Sequence, residues 1–233
     1  MTPRPETVRR FTRGERWVHR TTAALMLVCI GTAAALYLPP LAELVGRRRL
    51  VVTVHEWSGI ALPLPALAGL ASRAFRRDLG LLNRFAPYDR GWLRDALRRV
   101  PHDRRAAGKF NAGQKLYASF AAGAVLVMLG TGLLMMFPHL SGVVWRTGAT
   151  FVHDWLALAV AAVVAGHLWM AANDPEARLG MRTGFVTPEW ARRRHPRWEH
   201  TESSDSGDPG ESGEPRGDGG SGGAGDRPYT PTA

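Results

Sequence analysis

The sequence predicts an all-α integral membrane protein: a bundle of four transmembrane helices, followed by a tail without fixed structure. Three observations carry this. Four apolar runs of roughly twenty residues each are separated by arginine-rich stretches. The basic residues fall almost entirely on alternate sides of those runs. Four histidines, His19, His55, His153 and His167, lie inside or at the ends of the runs.

The first run spans residues 17–38, WVHRTTAALMLVCIGTAAALYL. The second spans 51–72 and carries Pro63 and Pro65, which should kink it and free backbone carbonyls that a bundle can satisfy. The third spans 112–137 and the fourth 150–172. At a rise of about 1.5 Å per residue each crosses a hydrocarbon core of roughly 30 Å. Trp17, Trp57, Trp145, Trp155 and Trp169 sit near run ends and read as an interfacial belt. Residues 1–200 form the membrane domain. Residues 201–233 are rich in Gly, Ser, Asp and Pro and should be disordered, because they cannot bury enough apolar surface to offset chain entropy.

Charge sets the expected orientation. The segments 1–20, 73–110 and 173–200 hold 23 Lys and Arg, whereas 39–49 and 138–149 hold four. The positive-inside rule then puts both termini and the long middle loop in the cytoplasm, with the chain in the cytoplasmic (inner) membrane and lipid as its first partner. The net charge of +10 conceals an acidic tail, with seven acids and two arginines in 201–233. The basic residues flank apolar runs and form no finger or recognition helix, which argues against nucleic-acid binding. Cys29 is the single cysteine, so no internal disulfide, iron–sulfur ligand set or covalent CxxCH haem attachment is available.

The histidines carry the chemistry. His153 and His167 are fourteen residues apart in one apolar run, which returns the second to within about 40° of the first and separates them by about 21 Å along the axis. The expected orientation places His55 and His153 near the outer surface, and His19 and His167 near the cytoplasmic one. Each pair comes from two different helices, as a six-coordinate haem between helices requires. Two strong axial imidazoles leave no open position for oxygen, so the expected task is electron transfer through two b haems. Gly59, one turn from His55, would let a flat macrocycle approach the backbone, and Ala157, Val160 and Val164 leave room between His153 and His167. The remaining histidines, His102, His139, His195 and His200, read as solvated.

At this point the chain resembles the cytochrome b (gamma) subunit of respiratory formate dehydrogenases, within the group shared with nickel–iron hydrogenase and thiosulfate reductase cytochromes b. The resemblance runs from about residue 10 to 200. It is carried by RFTRGERWVHR at 10–20, His55, KFNAGQK at 109–115, the two histidines of the fourth run and GFVTPEWARRRHPRW at 184–198. It implies electrons arriving at the outer haem from an iron–sulfur subunit, fed by a molybdenum or tungsten catalytic subunit. From the inner haem they would reach a quinone, menaquinone or ubiquinone. By position, His55 and His153 would hold the outer haem and His19 and His167 the inner one, with Asn111, Gly113 and Gln114 in the quinone pocket. The residues themselves also allow Asn111 simply to cap the third helix. Two rivals stand beside this reading: a stand-alone diheme oxidase of superoxide or another small reductant, and a haem-free membrane anchor.

Overall fold

A computed structural model of the chain describes residues 7–137, 139 and 142–198. The tail at 201–233, His200 among the histidines, and the extreme N-terminal arginine of the charge count lie outside the described residues.

A two-residue strand, β1 (Val8–Arg9), leads into α1 (Arg13–Tyr37). Then come α2 (Pro39–Val45), α3 (Arg48–Ala61) and α4 (Leu64–Gly69). The middle segment folds as α5 (Arg73–Leu82), α6 (Pro87–Leu97) and a single 3₁₀ turn. Helices α7 (Ala112–Met136) and α8 (Val143–Ala172) are followed by α9 (Pro175–Thr183), β2 (Phe185–Val186) and α10 (Pro188–Arg194).

Four of these stretches are long and apolar enough to cross a membrane: Arg13–Tyr37, Arg48–Gly69, Ala112–Met136 and Val143–Ala172. The protein is thus the all-α, multi-pass membrane protein expected. The second span is broken between α3 and α4 at Pro63, because a proline cannot donate to the helical ladder and its ring clashes with the preceding turn. At Gly69 the span packs so tightly that a β-carbon would stand 2.9 Å from Val18. The fourth span starts at Val143, earlier than residue 150, because the polar Arg146, Thr147 and Thr150 interrupt the apolar run without interrupting the helix.

Helix α1 packs on α3, and α7 on α8, while α3–α7 and α1–α8 contacts join the two pairs. The outward faces are rich in exposed Leu, Val, Phe and Trp, including all five tryptophans of the expected belt. Such exteriors suit lipid, which is as apolar as the side chains it meets.

The buried clusters lie elsewhere, at the end of the bundle that carries both described termini. Trp92 packs with Ala107 and Ala112, and Val186 with Ala191 and Trp198. Here β1 pairs antiparallel with β2, Val8 opposite Val186 and Arg9 opposite Phe185. The middle segment is therefore not a plain polar loop but part of a folded cap. The chain's two lysines fasten it: Lys109 Nζ donates to Asp78 Oδ1 at 2.8 Å and Lys115 Nζ to Asp89 Oδ2 at 2.7 Å, with all four side chains buried.

Candidate functional site

The four histidines of the spans meet in two pairs, each between two helices. On the loop side, opposite the described termini, His55 of α3 faces His153 of α8 with ring centroids 6.3 Å apart and planes at 68°. On the terminal side, His19 of α1 faces His167 of α8 at 6.3 Å and 64°. A ring nitrogen bonds a first-row metal at roughly 2 Å and lies about 1.1 Å from its own ring centre, so two imidazoles sharing one metal on opposite sides have centroids ~6.2 Å apart. Both pairs fit that separation.

The loop-side pair is oriented by hydroxyl groups. Thr32 Oγ1 lies 2.8 Å from His55 Nδ1, and Thr131 Oγ1 lies 2.9 Å from His153 Nδ1. Each hydroxyl donates its own proton to the carbonyl one turn back, Val28 or Val127, at 2.7 Å. The threonine oxygen must then accept from Nδ1–H, which leaves the lone pair of each imidazole on Nε2.

A cavity of about 910 Å³ opens beside this pair, within the size range of cofactor pockets. Its lining includes Ala33, His55, Gly59, Gly132, His153 and Ala157. A β-carbon at Gly59 would meet nothing within 4 Å, so this glycine serves no packing need of the protein itself. One at Gly132 would stand 3.5 Å from the His153 ring. Arg48, Glu56 and Asp154 supply the charges of the lining, and Tyr37 Oη donates to Asp154. On the terminal side the His167 ring stacks on Tyr117, centroids 4.5 Å apart and planes at 16°.

Asn111 and Gln114 cap α7. Asn111 Oδ1 accepts from Gln114 N at 2.9 Å, and Gln114 Oε1 accepts from Asn111 N at 3.0 Å. The cap uses both carboxamide oxygens and leaves both NH₂ groups as donors. Asn111 is buried and Gln114 exposed. Gly113 is where Trp92 of α6 approaches, its ring 3.1 Å from where a β-carbon would stand.

Sequence reasoning misjudged two of the remaining histidines. His195, expected in solvent, is 2% exposed. Its Nδ1–H donates to the Gly108 carbonyl at 2.6 Å, and its Nε2 accepts from Arg10 Nη2 at 3.2 Å. Burial and the facing Arg10 hold its pKa down at about 3, so it is neutral. His102 is half-buried against Trp92, and burial lowers its pKa too. His139 is exposed, as expected. Thr32, Thr131 and Tyr117 were not singled out; a threonine in an apolar run reads as an ordinary helix residue, and only the cross-helix contact gives it a role.

Residues 10–178 match the prokaryotic cytochrome b561 family. The formate dehydrogenase cytochrome b556 subunit of Haemophilus influenzae is 26% identical over 201 residues, covering 79% of this chain and 82% of that protein. The formate dehydrogenase cytochrome b556(fdo) subunit of Escherichia coli K12 is 25% identical over 203 residues, covering 84% and 93%. The nitrate-inducible cytochrome b556(Fdn) subunit of the same organism is 26% identical over 107 residues, covering 45% and 49%.

Proposed function

The chain belongs to the prokaryotic cytochrome b561 family, a family of membrane electron-transfer cytochromes that hold haem b, and from that premise we propose that it is the diheme, quinone-reducing subunit of a formate-dehydrogenase-like complex. The observation that carries the diheme reading is the twin separation: two imidazole pairs, each with centroids 6.3 Å apart, at the two ends of α8. A haem-free anchor has no use for such matched pairs.

In this reading His55 and His153 would hold one haem, through the Nε2 lone pairs that the threonine contacts leave available, and His19 and His167 would hold the other. A bis-imidazole haem supplies reversible one-electron transfer with no open coordination position. The protein's part is to fix the two groups on one rigid helix about 21 Å apart, measured along α8 between the histidines, and to exclude water from between them with small apolar side chains.

Arginine asymmetry supports cytoplasmic termini in the inner membrane. The loop-side pair is then outward and receives electrons from an iron–sulfur partner, itself served by a molybdenum or tungsten catalytic subunit. The terminal-side pair is inward and serves the quinone. Asn111 and Gln114 stand at that inward end, where their NH₂ groups can donate to a quinone carbonyl while their oxygens cap α7. Reduction to quinol consumes two electrons, delivered singly, and two protons from the cytoplasmic side.

Stoichiometry and ligand substitution test this together. The purified chain should give two pyridine-haemochrome equivalents of b type per polypeptide, extractable by acid acetone. Substituting His55 or His153 should remove one spectral component, and substituting His19 or His167 the other. One haem per chain, or loss of the same component in His55 and His19 variants, would overturn the assignment.

A further inference from the structure

We propose that Thr32 and Thr131 are positioning residues that fix His55 and His153 as Nδ1–H imidazoles and hold the haem at that pair at a lower reduction potential than the haem at His19 and His167. The inference rests on the two-haem reading above and extends it to the direction of electron flow.

Both threonines do the same thing in separate places. Thr32 reaches from α1 to His55 of α3, and Thr131 reaches from α7 to His153 of α8. A threonine bonding back to its own helix is common and would by itself signify nothing. Here the back-bond commits the hydroxyl proton to Val28 or Val127, so the oxygen is free only to accept. The carbonyls of Cys29 and Met128 face the same two rings, and a carbonyl too can only accept. Among the described residues, these contacts on that side of each ring are acceptors, and none competes for an imidazole lone pair. Each ring is therefore held in the one tautomer that leaves its lone pair on Nε2.

Accepting a hydrogen bond from the far ring nitrogen makes an imidazole a more basic ligand. A more basic ligand stabilises the oxidised, more positive metal over the reduced one, and so lowers the potential. With both imidazoles of one pair treated this way, the effects act together. The other pair is built differently. Among the described residues no hydrogen bond reaches a ring nitrogen of His19 or His167, and the His167 ring is covered instead by Tyr117. The asymmetry makes transfer from the loop-side haem to the terminal-side haem downhill.

The test uses the purified, haem-loaded protein carrying Thr32→Val, Thr131→Val, and each matching Ser variant. Haem content comes first. Wild type with fewer than two haems refutes the diheme reading itself, whatever the threonines do. With two haems present, spectroelectrochemical titration of each valine variant should raise the potential of one component and leave the other in place. The expected size is about a threefold change in its ferric-to-ferrous ratio at fixed ambient potential. The low-spin ferric EPR signal of the same component should shift, and serine should restore both readouts. A valine variant that sheds one haem while its serine counterpart keeps it also supports the proposal, because the hydroxyl is then what matters. Unchanged potentials in both valine variants, a shift of the other component, or equal haem loss in valine and serine variants would overturn it.

Discussion

Lys109 Nζ donates to Asp78 Oδ1 across 2.8 Å, tying the residue two before the α7 cap to a helix of the middle segment. Both side chains are buried, and Glu15 of α1 stands against the same carboxyl. Burial and the contact with Glu15 outweigh the lysine and push the Asp78 pKa up to about 7. In the unfolded chain the group titrates near 3.8.

The sign follows from linkage. The folded protein holds this proton more tightly than the unfolded chain, so the contribution to stability is fully present below about pH 4 and lost as pH rises through about 7. Asp78→Asn should remove that loss, so its thermal midpoint in detergent should fall less than that of wild type between those pH values. Lys109→Met leaves a buried carboxyl without its cation and should cost about 3 kcal/mol at pH 8. An equal pH slope in wild type and Asp78→Asn would refute the account.

His195 works in the opposite direction. It is neutral because burial disfavours the charged ring and the Arg10 guanidinium faces its Nε2, which together outweigh the Gly108 carbonyl that accepts from Nδ1–H. A second proton would set an N–H against the guanidinium. With a folded pKa of about 3 against 6.5 unfolded, its contribution is complete above pH 6.5 and lost as pH falls toward 3. His195→Gln, which can keep one donor and one acceptor, should flatten acid unfolding of the cap, followed by the fluorescence of Trp190 and Trp198. Acid sensitivity identical in wild type and variant would show that other groups govern it.

Gly59 separates a structural demand from a cofactor demand. A β-carbon there meets nothing within 4 Å, and alanine is favoured over glycine inside a helix by about 1 kcal/mol. Gly59→Leu should therefore leave the helical circular dichroism intact while reducing haem content from two per chain to one. Two haems retained by the leucine variant would mean that the cavity beside His55 is not where a macrocycle lies.

Asn111 has two candidate tasks that one substitution divides. Asn111→Asp keeps an oxygen for the α7 cap and loses the amide donor. Asn111→Ala loses both, at a stability cost of about 1 kcal/mol for the cap. A quinone-binding role predicts that both variants slow quinone reduction at least tenfold, with both haems bound and still reducible by dithionite. Normal turnover in the aspartate variant with instability confined to alanine would leave Asn111 as a cap alone.

The spans and the histidine pairs were legible in sequence because a bilayer imposes a long apolar run, and one helical face repeats over fourteen residues. The cap was not. Its helices α5, α6, α9 and α10 are short, and beside Trp92 and Ala191 the cap buries the polar side chains Asp78, Asp89, Lys109, Lys115 and His195. Such residues read as solvated until their partners are known, and those partners lie 31 residues away for Asp78–Lys109 and 87 for His195–Gly108. The threonines beside His55 and His153 escaped for the same reason. Helix ends were better determined where a side chain marks them. Thr12 and Glu15 begin α1 through a reciprocal cap, and Asn111 and Gln114 begin α7 in the same way.

The pairing of β1 with β2 has a consequence for biosynthesis. Val8 pairs with Val186, and Arg10 reaches the Lys109 carbonyl as well as Trp190, His195 and Trp198. The first of these residues precedes all four spans in the chain and the last follows them. During translation the leading segment must wait beside the bilayer while every later helix inserts, and its arginines stay hydrated meanwhile. Closure of this end is then possible only after the fourth span and the residues that follow it have been made. A chain truncated before Val186 leaves β1 without its partner strand and Arg10 without the aromatic rings it stacks on at Trp190 and Trp198.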